Sequence, residues 1–395
     1  MDNVWLIAAI WMALALAASL VSIRLGISVA LIEIVAGVLA GNFLGLQTND
    51  WIDFLAGFGS VLLTFLAGAE IDPGSLRRHL RPSLAIGVVS FLFPFLGVFA
   101  VAFWVLGWPL PGAEIAGIAL STTSVAVVYA VMIDTGLNET ELGKLILAAC
   151  FITDLGTVLA LGLLFANFDG WLLVFVAVTV LALWRLPWLT RWVIARLHNR
   201  SSEPEIKFLF LVLFVLGWLA TAAKSEAVLP AYLVGLVVAG VFLSDKVLVH
   251  RMRAIAFSIL TPFYFIKAGL FVALPALVSG AGLIVLLLAL KLATKFLGVW
   301  PLTRVFRLAP RAGNYTTLLM STGLTFGSIA ALYGLTNHLI TQDQYSILVT
   351  VVIGSAFVPT LIAQTLFTPR RDETTLPVRP DPGRMDSAAP LRSRW

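Results

Sequence analysis

The sequence predicts an all-α polytopic membrane protein of about 13 transmembrane helices, and three observations carry that prediction. Of its 395 residues, 60% are hydrophobic and 12% charged, against roughly 25% charged in an ordinary soluble chain. Apolar stretches recur from Val4 to Leu366, each about 20 residues long, the length that crosses a hydrocarbon core of about 30 Å as a helix. The basic residues divide between alternate loops, as the orientation rule for membrane helices requires.

In order, the expected spans are residues 4 to 22, 27 to 46, 52 to 70, 83 to 105, 113 to 133, 142 to 166, 171 to 187, 206 to 223, 227 to 243, 254 to 277, 281 to 300, 313 to 334 and 345 to 367. Nothing basic precedes the first apolar run, whereas a cleavable signal starts with positive charge, so this segment is expected to be retained as a helix. With span edges counted, the odd-numbered loops hold 16 of the 26 lysines and arginines and the even-numbered loops hold only Lys224. Six arginines follow Pro369, and Lys267, Lys291 and Lys295 lie inside spans. This partition predicts cytoplasmic odd loops, a cytoplasmic C-terminus and an outside N-terminus in the inner membrane, which an odd number of spans satisfies. The net charge of +5 follows from that topology and gives no reason to expect a nucleic-acid partner.

Residues 1–368 form the expected membrane unit. The segment 369–395, with Pro377, Pro380, Pro382 and Pro390 among charged residues, is expected to be a disordered cytoplasmic tail. The single cysteine, Cys150, has no partner for an intramolecular disulfide and reads as a small core residue.

Charges at membrane depth are the functional signal. Of 21 acidic residues, Glu33, Glu70 and Asp154 are the candidates, and Asp154 is the deepest, in the middle of the sixth span. An aspartate there costs about 2.5 to 3.5 kcal/mol on insertion scales, so a compensating partner or a water-filled cavity is expected. Lys291 and Lys295 are four apart on one helix face, and one of them is expected to pair with Asp154. Lys295 is preferred because Gly298 follows it and permits close helix approach. The competing reading is a buried ion pair that only fixes helix packing.

Two spans are interrupted in composition. Ser121, Thr122, Thr123 and Ser124 fall at the midpoint of the fifth span, and Ser321, Thr322, Gly323, Thr325 and Gly327 at that of the twelfth. Hydroxyl residues and glycines there weaken the helical ladder and are tolerated where a broken helix lines a cavity, or else merely allow tight packing. Spans seven apart cross the membrane in opposite directions, as an inverted repeat demands, and paired interruptions in such positions point to a transporter's ion site.

The remaining candidates are weaker. Glu33, near Gly37 and Gly41, suggests a helix contact, and Glu70 at a cytoplasmic span end suggests a cap or ion-pair partner for the arginines after it. Lys267 supplies charge to a cavity or snorkels to the interface. His79, His198, His250 and His338 all lie in or near loops, and no His-Glu-x-x-His motif occurs, which argues against a membrane-embedded metalloenzyme.

Together, Phe65 to Asp72 (FLAGAEID), Ser121 to Ala126 (STTSVA), Phe151 to Leu155 (FITDL), Leu229 to Leu233 (LPAYL) and Met320 to Phe326 (MSTGLTF) resemble the sodium/proton antiporters of the second cation:proton antiporter group. The resemblance covers nearly the whole chain. It implies a core domain with two crossed, unwound helices, at roughly 65–166 and 254–367, beside a dimerisation domain at roughly 1–64 and 171–250, working by an elevator-like movement as a homodimer. It maps the ion-binding carboxylate onto Asp154, the core lysine onto Lys295, and the unwound segments onto Thr122 to Ser124 and the stretch around Thr322 to Thr325. One departure stands out: electrogenic members carry two adjacent aspartates, whereas Thr153 holds the first position here. Members with a non-acidic residue there tend towards electroneutral exchange but often carry arginine opposite, so this chain mixes two patterns.

The expected activity is exchange of a monovalent cation for H+, with Na+ bound at Asp154 and one ion displacing the other. Thr153, Thr122, Thr123 and Ser124 would supply oxygens suited to a hard cation, with Thr322, Thr325, Lys291, Lys267 and Glu70 as a second tier. No cofactor is expected; the partners are membrane lipid, the cations and protons. Lithium or potassium as cargo is the nearest alternative, and a passive channel is a further one.

Overall fold

The computed structural model describes residues 3–25, 28–69, 74, 80–138, 140–165, 170–197, 202–223, 227–370 and 373–374, and among them no strand occurs. In chain order the helices are α1 (Val4–Leu25), α2 (Val29–Phe43), α3 (Asp50–Ala69), α4 (Leu80–Ala100), α5 (Leu110–Ser121), α6 (Val125–Asp134), α7 (Glu141–Leu164), α8 (Gly170–Leu197), α9 (Pro204–Ala222), α10 (Val228–Ser244), α11 (Lys246–Ile255), α12 (Thr261–Leu270), α13 (Leu274–Ser279), α14 (Ala281–Val305), α15 (Pro310–Met320), α16 (Thr325–Thr336) and α17 (Gln342–Leu366). Short π-helical turns, Val101–Val105 and Ala256–Leu260, extend α4 and join α11 to α12. An all-helical solution is what lipid demands, because a helix satisfies its own backbone where no water can.

Among the described residues, ten helical segments are long and apolar enough to cross a membrane, counting α11 with α12 and α15 with α16. Three shorter apolar helices, Val29–Phe43, Leu110–Ser121 and Val228–Phe242, lie at the expected spans two, five and nine. The tenth expected span, 254 to 277, is not one straight helix. Pro262 is the second residue of α12, directly after the π-turn, and α12 stops at Leu270 before the short α13.

The helices sort into two bundles. In one, α10 and α12 pack on α3, and α2 packs on α12. Gly37 and Gly41 lie on the contact face of α2: a Cβ at Gly37 would strike the Ile266 carbonyl, and one at Gly41 the Leu270 carbonyl. The two backbones therefore meet directly, in the manner of small-residue membrane interfaces. Glu33 is buried on the same helix. In the other bundle, α4 packs against α5, α7 and α14, while α15 and α17 lie on α14 and α16 lies between α5 and α17. Helix α7 touches α10 where the bundles join.

The outer faces are apolar, with Leu16, Trp104, Leu163, Trp184 and Leu297 exposed. In water such a surface would aggregate; against acyl chains it is the matched solvent. Of the expected tail, residues 375–395 lie outside the described residues. Thr374 is described, and its carbonyl accepts the N–H of Leu142 in the first turn of α7.

Candidate ion site at the crossing of the interrupted helices

Both predicted interruptions are present. Helix α5 ends at Ser121, Thr122 is extended at φ −62° and ψ 155°, and α6 begins at Val125. Helix α15 ends at Met320 and α16 begins at Thr325. The two unwound segments touch. Thr123 donates its hydroxyl to the Met320 carbonyl at 2.9 Å, and the Ser124 N–H donates to Thr322 Oγ1 at 3.4 Å. The hydroxyls of Thr122, Ser121 and Thr322 turn back to carbonyls of their own helices, Ala119, Ile118 and Leu319. Such self-bonding lets these residues sit in a membrane interior while loosening the helix they end. Thr325 is half-buried at the first position of α16.

Helix α7, which carries Asp154, packs on all four arms of the two interrupted helices, α5, α6, α15 and α16. Thr140 caps it, accepting the Gly143 N–H at 3.1 Å, and Glu141 in its first turn complements the helix dipole. Asp154 is 1% exposed. Its Oδ1 is buried and accepts no hydrogen bond from any described residue. A buried carboxylate oxygen left without a donor is costly, and it is the state from which a proton or a hard cation gains most. Beside it, Thr153 donates to the carbonyls of Gly87 on α4, at 3.2 Å, and Ala149, at 3.1 Å.

The expected ion pair between Asp154 and a core lysine is corrected by the structure. Among the described residues neither Lys291 nor Lys295 lies within ion-pair distance of the carboxylate. Lys295, fully buried, spends its three donors on Ser90 Oγ at 2.8 Å, the Ser121 carbonyl at 2.8 Å and Thr123 Oγ1 at 3.1 Å. The physical reason is the interruption itself. The last carbonyls of α5 have no helical partner and carry the negative end of its dipole, so they attract an ammonium directly. Lys291 is also fully buried and donates to Ser355 Oγ on α17 at 2.9 Å. Its ammonium lies against Gly323, where a Cβ would collide with Nζ and come within 3.1 Å of Ser355 Oγ and Thr122 Oγ1.

Lys267 is placed elsewhere, in an ion pair with Asp53 of α3 at 2.8 Å. Glu70 lies outside the described residues. The sequence reading missed Ser90 and Ser355, the hydroxyl partners of the two lysines, and Tyr232, whose hydroxyl donates at 2.9 Å to the carbonyl of Phe151, three residues before Asp154 on α7. A lone serine in an apolar helix carries no signal of its own, because it can always bond its own backbone. Tyr232 sits in the LPAYL motif, where it was legible as part of the resemblance and not as a neighbour of the carboxylate.

A helical membrane protein with two interrupted helices crossing beside a buried carboxylate defines a class, the secondary transporters that carry their ion site at such a crossing. The chain belongs to the sodium/hydrogen exchanger family: residues 11–368 match the model of the transmembrane sodium/hydrogen exchangers. It is 24% identical over 347 residues to the probable Na+/H+ antiporter 3 of Methanocaldococcus jannaschii, covering 84% of this chain and 89% of that protein. It is 25% identical over 345 residues to the Na+/H+-K+ antiporter GerN of Bacillus cereus, covering 84% and 88% respectively. Its fold matches the sodium proton antiporter MjNhaP1 of Methanocaldococcus jannaschii, solved at pH 8, with a TM-score of 0.68 at 15% identity over 91% of this chain and 98% of that one. The protein is therefore a multi-pass membrane cation/proton exchanger and not an enzyme.

Proposed function

We propose that the chain exchanges Na+ for H+ one for one, by competition for Asp154. The observation that carries this reading is a 1% exposed carboxylate, one oxygen of which has no donor, on the helix that packs against all four arms of the two interrupted helices. A carboxylate that holds either a proton or a cation releases one when it takes the other, and a single such group moves equal charge both ways. With Thr153 in the neighbouring position, no second carboxylate adjoins it to carry another proton. Oxygens of Thr122, Thr123, Ser124 and the unwound carbonyls complete a hard-cation ligand set, Thr322 and Thr325 flank it, and Lys295 supplies fixed positive charge through its hold on the Ser121 carbonyl.

In this reading the bundle of α4–α7 and α14–α17 carries the site past a frame of α1–α3 and α8–α12, in an elevator-like movement within a homodimer. The frame includes α12, on the other side of the boundary expected at residue 254, because α12 packs on α2 and α3. The basic loops put the N-terminus outside and the tail in the cytoplasm of a cell with an inner membrane.

The test is reconstitution. Wild-type proteoliposomes loaded with a pH dye should show cation-driven proton movement with Na+, and Asp154→Asn should abolish it while the protein still inserts and folds. Substantial exchange by the Asn variant defeats the proposal. GerN, named for both Na+ and K+, supports a second reading in which K+ is cargo. Equal rates with K+ and Na+ would favour that reading.

A further inference from the structure

A second polar feature lies away from the crossing. A cavity of about 180 Å³ opens between the two bundles, lined among others by Ser60 of α3, Val228 of α10, Tyr264 and Lys267 of α12, and Ile329 and Tyr333 of α16. It has room for several waters. Lys267 lines it with its side chain 11% exposed, whereas its partner Asp53 is 44% exposed.

Two of the helices that line this cavity carry buried aromatic rings one turn further on. One turn deeper than Val228 on α10 is Tyr232, and one turn back from Ile329 on α16 is Phe326. These two rings meet edge to face with centroids 6.4 Å apart, and both are buried. Tyr232 is hydrogen-bonded to Phe151, three residues before Asp154 on α7. The cavity lining and the helix that carries Asp154 are therefore linked through this aromatic contact, at the boundary between the bundle proposed to move and the one proposed to stay.

We propose that this cavity is the outer entrance for the cation and that the Asp53–Lys267 pair sets how readily a cation enters it. The inference rests on exchange at Asp154 and on the orientation given by the basic loops, under which the start of α3 and the end of α16 face outside. A lysine lining a cation route opposes entry unless its charge is cancelled; Asp53 cancels it and also offers a half-exposed carboxylate to arriving cations. The two partners then act in opposite directions. A pair that merely clamped α3 to α12 would give the same result whichever partner was removed.

The electrostatic test needs no transport. Ser60→Cys should react with membrane-impermeant methanethiosulfonate reagents from the outside of intact vesicles, and Cys150 is fully buried, so the native thiol does not interfere. The ratio of rates for a cationic over an anionic reagent should rise about threefold to tenfold in Lys267→Gln and fall by a similar factor in Asp53→Asn, the effect of one unit charge at several ångströms in a partly hydrated site. Both shifts should shrink as ionic strength rises. In exchange assays the KM for external Na+ should fall in Lys267→Gln, rise in Asp53→Asn, and return close to wild type in the double variant. Labelling confined to the cytoplasmic face, no labelling, or shifts of the same sign in the two single variants would overturn the proposal. Absence of exchange in the wild type would defeat the transport reading alone, since the reagent ratio does not depend on it.

Discussion

Thr123 holds Met320: its hydroxyl, on the first unwound segment, donates to the carbonyl that ends α15 at 2.9 Å, while the same oxygen accepts from Lys295 at 3.1 Å. One side chain thus ties together both interruptions and the buried lysine. Residues almost 200 positions apart are joined by a bond that neither helix could make if it were continuous.

Replacing Thr123 with valine keeps the shape and removes both bonds. The Met320 carbonyl and one Lys295 donor would then be buried without partners, at a cost of about 1 to 3 kcal/mol each. The expected outcome is a lower Tm in detergent together with slowed exchange. Thr123→Ser should retain most of both, because the hydroxyl survives.

Lys295 is predicted to depend on Ser90. Ser90→Ala leaves one ammonium donor unsatisfied and should destabilise by about 1 to 3 kcal/mol. Lys295→Met removes the charge but leaves the Ser121 carbonyl and the Ser90 and Thr123 hydroxyls without their donor, so it should cost more stability than Ser90→Ala as well as slow exchange. Thermal stability and exchange measured on the two variants together separate these effects. Equal loss of stability in both would contradict the hydrogen-bond account.

A side chain at Gly323 is predicted to act through Lys291. A Cβ there meets Nζ inside contact distance, so Gly323→Ala should displace the ammonium from Ser355 and lower both stability and exchange. Adding Lys291→Ala should restore stability in part. A double-mutant cycle should give a coupling of about 0.5 to 3 kcal/mol, as for residues in contact, and additive effects would refute the packing.

The tail is predicted to steady α7. Since the Thr374 carbonyl caps the Leu142 N–H, truncation after Thr368 should expose that N–H to solvent and speed hydrogen exchange in the first turn of α7, with little change at the crossing. Unchanged protection there would contradict the contact.

Much of this arrangement was legible in the chain. The apolar stretches mark the helices, ten of them long enough to cross a membrane among the described residues where thirteen spans are expected; the hydroxyl clusters mark both interruptions at their observed places; and the cost of a carboxylate in lipid points to Asp154, which the fold buries. What stayed hidden were the partners. The sequence suggests the lysines as counter-charges for Asp154, because charge is visible in a sequence, whereas the free carbonyls at the end of α5 that hold Lys295 exist only once the helix stops. Asp53 lay at a span edge among ordinary loop acids, and nothing local revealed that α12 would bring Lys267 to it. The bundle to which α12 belongs was equally obscure, since Gly37 and Gly269 find each other across more than two hundred residues through backbone contact.

The sulfur of Cys150 rests 3.7 Å from that of Met320, sealed behind the crossing and out of reach of aqueous reagents. Because it is the only thiol in the chain, spectroscopic probes can be introduced one at a time at surface positions on the otherwise native protein. The relative travel of the two bundles is thus open to direct distance measurement without first engineering a cysteine-free background.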